Sequence, residues 1–136
     1  MKVGAQAGTS YERYLQKDLT IEAPNAQPIE YPFGELTIVP YDSEVTAFQD
    51  LALGAGKRID AIVAGYLTAK TAIENSGGKF KAVGTPIFQE PIWISVDKGD
   101  PEWEAKIKDI LAAMKADGTL KAISEKWIGI DVTAGS

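Results

Sequence analysis

Short apolar runs alternate with amphipathic stretches along most of this chain. Lys2-Val3-Gly4-Ala5-Gln6 predicts a short buried strand, closed by Ala7-Gly8. Thr9 and Glu12 stand three apart, as in a capping box, and Tyr11, Tyr14 and Leu15 give the helix that follows an apolar face. From Asp18 to Gly34 the periodicity fades, and Pro24, Pro28 and Pro32 mark a long connection with one extended piece around Ile29 to Tyr31. Leu36-Thr37-Ile38-Val39 predicts a second strand ended by Pro40. Asp42 or Ser43 caps a second helix whose inward face is Val45, Phe48, Leu51 and Ala52, and Gly54 and Gly56 end it. Ile59 to Val63 predicts a third strand, its apolar run suited to a parallel strand covered on both faces. A helix follows from Tyr66 to Glu74, stopped by Ser76-Gly77-Gly78. Phe80 to Val83 and Ile92 to Val96 predict a fourth and a fifth strand.

The C-terminal helices carry the clearest signals. Asp100 caps, Pro101 takes the first helical position, and Glu102 and Glu104 complement the positive helix end. Trp103, Ile107, Ile110, Leu111 and Met114 recur at helical spacing up to Gly118. Thr119 opens a further helix with Leu120, Ile123 and Trp127 on one side, ending at Gly129. The alternation of strand and helix predicts an α/β fold with a mostly parallel five-stranded sheet and flanking helices. No internal repeat or low-complexity segment interrupts it.

Composition narrows the chemistry. The chain has 136 residues, 45% hydrophobic and 24% charged, which suits one globular domain with a real core. Its net charge of -5 is spread without a basic stripe, which argues against nucleic acid as a partner. There is no Cys, which excludes disulfides and thiolate chemistry, and no His, the commonest neutral-pH base and metal ligand. No stretch is apolar and long enough to span a bilayer. Met1 leads directly into the first strand, so no signal peptide is expected, and Ala134-Gly135-Ser136 reads as a cloning scar or a natural tail.

Gly8-Thr9-Ser10 is the most informative local feature. It follows a strand and opens a helix, so its amides sit at the positive end of the helix dipole and favour a carboxylate or phosphate. The plainer alternative is an ordinary helix cap. Leu53 to Arg58 resembles a phosphate-binding loop only superficially: Leu51 stands where its first Gly belongs, Arg58 where its Ser or Thr belongs, and it follows a helix. Asp60 at a strand start reads as structural. Trp103 and Trp127 read as core, with Trp93 left open between core and stacking platform. Lys106, Lys108, Asp109 and Lys115 fit a solvated helix face.

Several blocks together resemble one family. Lys2 to Glu12 looks like the segment that opens the second lobe of family 3 bacterial extracellular solute-binding proteins, the receptors of amino-acid ABC importers. Leu51 to Gly54 followed by Arg58 to Val63 resembles that family's helix, Gly and Asp-Ala-Val-Val block. Phe80 to Gly84 and Glu90 to Val96 resemble the last lobe strand and the hinge strand. Lys98 to Glu102, Lys115 to Leu120 and Lys126 to Gly129 are similar to its closing signature.

The resemblance implies a periplasmic-binding-protein-like type II lobe, a flavodoxin-like half, with residues 1–96 forming the lobe and hinge strand. Residues 97–136 would be helices that in the family pack on the other lobe. It implies a ligand carboxylate held by Gly8, Thr9 and Ser10, selectivity from Gln6, and a cleft-facing loop at Ala64 and Gly65. The family commonly has an Asp in that loop to pair with the ligand's ammonium group. Gly65 here points to a ligand without one, or to lost binding. The partners implied are a small amino-acid-like solute and an ABC permease, at a periplasmic or extracellular location, with no cofactor.

The resemblance expects a first lobe ahead of Lys2, and without one the apolar face of the last helices would need another partner. It can fold back on its own sheet, or two chains can exchange their C-terminal segments as a swapped homodimer. A non-binding fragment or half-receptor scaffold is the alternative function. An enzyme on the same scaffold would have to use groups such as Glu90 or Tyr66 for proton transfer, and neither is well placed in sequence.

Overall fold

A computed structural model describes residues 1–22 and 28–133; Pro24 and the terminal Ala134-Gly135-Ser136 lie outside the described residues. The chain divides into two compact units, Met1–Gln89 and Glu90–Ser136.

The first unit is built on a parallel sheet of order β2-β1-β3, with β1 at Lys2–Gln6, β2 at Thr37–Tyr41 and β3 at Ala61–Ile62. Lys2 to Gln6 of β1 pairs in register with Thr37 to Tyr41, and Val3 and Gly4 pair with Ala61 and Ile62 on the other side. Alternation along β1 sends Val3 and Ala5 to one face, where they meet Tyr14, Leu15 and Leu19 from α1 (Ser10–Gln16) and the connection after it. Tyr14 stacks on Tyr31, Phe33 and Phe88 at centroid distances of 5.4, 5.4 and 5.6 Å, so the connection that lacks periodicity in sequence supplies much of this core. Gly4 faces the other way. A Cβ there would stand 2.9 Å from Ile59 Cδ1 and 3.0 Å from the Tyr41 ring, so the buried glycine lets two larger side chains close over the strand.

The second helix, α2 (Glu44–Leu51), touches all three strands. Its buried residue is Ala47, while Val45 is 61% exposed and Ala52 is exposed too. The inward face expected from Val45, Phe48, Leu51 and Ala52 is therefore rotated, because the small Ala47 permits the close approach to the sheet. Phe48 instead packs beside Phe80 at 5.6 Å. The next helix, α3 (Tyr66–Asn75), frames with α2 an apolar groove of about 650 Å³ lined by Val45, Phe48, Ala52, Leu67, Thr71 and Phe80.

Two further expectations are corrected. Pro40 does not end β2 but lies within it; β2 is an edge strand, where the missing N–H costs no ladder bond. Among the described residues the sheet has three strands rather than five, since Phe80 to Val83 and Ile92 to Val96 form no ladder. Phe80 to Val83 has strand-like composition, but the β3 edge is two residues long and offers almost nothing to pair with. Ile92 is 96% exposed.

The second unit contains α4 (Pro101–Ala116) and α5 (Thr119–Ile128), which pack on each other. Asp100 caps α4 by accepting the Trp103 N–H at 2.9 Å, as its spacing predicted. Gly118 and Gly129 flank α5 with φ of 80° and 87°, conformations that suit glycine. Buried Ser124 ties down the tail: its hydroxyl donates to the Ile130 carbonyl and accepts the Val132 N–H. Trp103 and Trp127 are not core. They are 49% and 73% exposed.

Candidate functional site

The order β2-β1-β3 sends the chain from β1 to one side of the sheet and then, through β3, to the other. The connections leaving the carboxyl ends of β1 and β3 therefore start in opposite directions, at the kind of strand switch point where ligands bind in open α/β sheets. Two loops border it, residues 7–9 after β1 and 63–65 after β3. They sit side by side: Val63 N–H donates to the Gly4 carbonyl at 3.0 Å, and a Cβ at Gly65 would stand 2.9 Å from Tyr11 Oη.

Each residue singled out in the sequence has a defined position at this edge. Gln6 ends β1, half-buried, and its Nε2 donates to the Asp42 carbonyl at 3.3 Å, joining the ends of β1 and β2. Gly8 is exposed with φ of 73°, a left-handed turn that brings the chain round into α1. Its N–H donates to Glu12 Oε2 at 2.8 Å, so one of the amides expected to face a ligand already holds a carboxylate of the chain itself.

Thr9 is the N-cap residue, but it does not complete the expected capping box. Its hydroxyl donates to the Gln6 carbonyl at 2.6 Å, and Glu12 reaches back past it to Gly8. With φ of -99° and ψ of 165°, Thr9 is extended and directs its hydroxyl to the preceding strand end. The amides of Thr9 and Ser10 have no hydrogen-bond partner among the described residues, and they belong to the donors that a helix start leaves over. Ala64 and Gly65 are half-buried.

Sequence reasoning missed two neighbours. Glu44, the first residue of α2, is half-buried and its Oε1 accepts the Gly65 N–H at 2.7 Å. Tyr11 places its hydroxyl over Gly65 and its ring 6.2 Å from that of Phe88. The available signal for Glu44 was its position directly after the carboxyl end of a predicted strand and a capping Ser43, whose hydroxyl accepts the Thr46 N–H. Asp42, the other cap candidate, contributes its carbonyl to Gln6 instead.

Asp60 lies at the opposite edge, where its carboxylate accepts the N–H groups of Lys2 at 2.7 Å and Gly56 at 2.8 Å. Those bonds, that from Lys2 first, hold its pKa below the ordinary 3.8. Tyr41 donates to Asp50 at 2.9 Å, and burial, followed by that bond, raises its phenol pKa. Both networks are structural. Among the described residues no cluster of three or more metal-ligating acids exists, and no helix is long and apolar enough to cross a membrane.

The family model for bacterial extracellular solute-binding proteins, family 3, matches residues 8–130. The L-cystine-binding protein TcyJ of Escherichia coli is 33% identical over 132 residues, which cover 97% of this chain and 43% of that protein. The L-arginine-binding protein of Pseudomonas aeruginosa is 30% identical over 138 residues, covering 96% of this chain and 48% of that protein. A glutamine-binding protein of Bacillus subtilis is 30% identical over 110 residues, covering 79% and 38%. The chain thus spans less than half the length of these curated relatives. No solved structure matches the chain significantly.

Proposed function

Since the chain belongs to the family 3 bacterial extracellular solute-binding proteins, a family of receptors rather than enzymes, we propose that it forms one lobe of a receptor for an amino-acid-like solute. The solute would be passed to an ABC permease at the periplasmic or extracellular face. Its carboxylate would be held by the Thr9 and Ser10 amides, with Gln6 and the loop at Ala64 and Gly65 bordering it. Gly8 would set the turn, and its own amide would serve the ligand only if Glu12 released it.

The observation that carries this reading is the meeting of two diverging loops at the carboxyl edge, with amides on one of them that have no partner among the described residues. Amides at a helix start favour negative charge, and a bond from such a donor to a carboxylate contributes about 1.5–3 kcal/mol.

The test is calorimetric titration of the full-length gene product carrying this chain with the common amino acids and L-cystine. Dissociation constants of roughly micromolar or tighter are expected for at least one. Absence of heat at saturating solute would favour a non-binding scaffold instead. Ser10→Pro then probes the carboxylate contact. Proline is tolerated at the first helical position, and Thr9 already has the extended backbone required before it. This change should leave the fold intact and weaken binding about tenfold or more by deleting one amide.

A further inference from the structure

A crevice at a strand switch point acquires selectivity from the few polar groups that converge on it. On the β1 side those groups are amides, which favour negative charge. On the β3 side the loop brings Ala64 and Gly65, with no charge of their own, which by the family resemblance points to a solute lacking a cationic group or to lost binding. The folded chain delivers a charge from elsewhere. The half-buried Glu44 carboxylate accepts the Gly65 N–H at 2.7 Å, so α2 presents an acid to the β3 loop.

Gly65 belongs to the same arrangement. Its φ of -60° is open to any residue, so backbone conformation does not require glycine. Space does: a Cβ would lie 2.9 Å from Tyr11 Oη and 3.6 Å from Glu44 Oε1. A side chain at 65 would displace the tyrosine or crowd the carboxylate. The bond from Gly65 uses one of about four lone-pair sites on the carboxylate, which leaves capacity for a charged donor from a ligand.

We propose that Glu44 receives the cationic group of the solute, and that it thereby selects a zwitterion over a simple carboxylate. This rests on the receptor reading above. Gly65 is the clearance that lets the acid in.

The experiment uses the full-length gene product in calorimetric titrations with the common amino acids and L-cystine. The tightest binder is then compared with its analogue in which the α-ammonium group is replaced by hydrogen. The wild type should prefer the amino acid by about tenfold or more, and Glu44→Gln should lower affinity for the amino acid by a similar factor while leaving the analogue unchanged. If no amino acid binds, the receptor reading falls and takes this proposal with it. If amino acids bind but the wild type fails to discriminate against the analogue, Glu44 has no such role and the receptor reading stands. Glu44 is equally ruled out if Glu44→Gln weakens both ligands alike or neither. The wild-type comparison keeps the proposal open to refutation even if the variant does not fold.

Discussion

A methyl group at position 65 would have nowhere to go without moving the Tyr11 hydroxyl, whose ring is held against Phe88. Gly65→Ala should therefore destabilise the chain by about 1–2 kcal/mol, as modest overpacking does. Tyr11→Phe in the same chain should recover part of the loss by removing the atom in conflict. Urea unfolding of the two variants checks this, and equal midpoints for Gly65→Ala with and without Tyr11→Phe would mean that the hydroxyl is not the obstacle. At this scale the sequence was only partly legible. Gln6, Gly8, Thr9 and Ser10 were identifiable because a strand, a turn and a helix start follow one another directly. The choices made by their polar atoms were not. Thr9 bonds backwards to Gln6 and Glu12 bonds to Gly8, because the backbone angles at the turn decide which partner each oxygen can reach. Glu44 and Tyr11 were invisible as neighbours of Gly65, since their approach depends on strand order.

At the scale of elements, signals that act within a few residues were reliable. Ser43 caps α2 as expected, and Ser43→Ala should cost about 1 kcal/mol of stability by leaving the Thr46 N–H without its acceptor. A loss below a few tenths, measured by thermal unfolding, would show that the Thr46 amide finds another partner easily. Elements that need a distant partner were less legible. Phe80 to Val83 has the composition of a strand but meets no free edge, and Pro40 reads as a terminator until β2 is known to lie at the sheet margin. The position most sensitive to this pairing is Gly4, in the central strand. Gly4→Ala drives a methyl against Ile59 and Tyr41 and should cost about 1–3 kcal/mol, and Ile59→Val should relieve part of that by withdrawing the Cδ1 atom. The sign of the coupling is informative, because Ile59→Val alone should destabilise by roughly 0.5–1.5 kcal/mol. If the pair proves additive, the side chain of Ile59 does not set the need for glycine.

For the whole molecule, charge makes a prediction that no single element does. The chain carries 19 acidic against 14 basic residues, so acidification takes it from net negative through neutrality to net positive, where self-repulsion opposes the compact state. Two carboxylates add specific contributions. Asp60 accepts the Lys2 and Gly56 N–H groups on separate oxygens, and Asp117 is held down by bonds from Thr119, its hydroxyl first and then its amide. Each titrates below the ordinary 3.8 in the folded chain. The folded state therefore binds fewer protons than the unfolded one in that range, and the stability they contribute is present above 3.8 and is lost as pH falls through the depressed values. Asp60→Asn is a sharp test, since an amide at that site must turn its NH2 group towards one of the two N–H donors. The variant should be less stable than the wild type at neutral pH and should approach it as the acid limb is descended. Urea midpoints followed by circular dichroism across that range measure the convergence; curves that stay parallel would show that Asp60 contributes no pH-dependent stability and that repulsion among like charges accounts for the acid sensitivity.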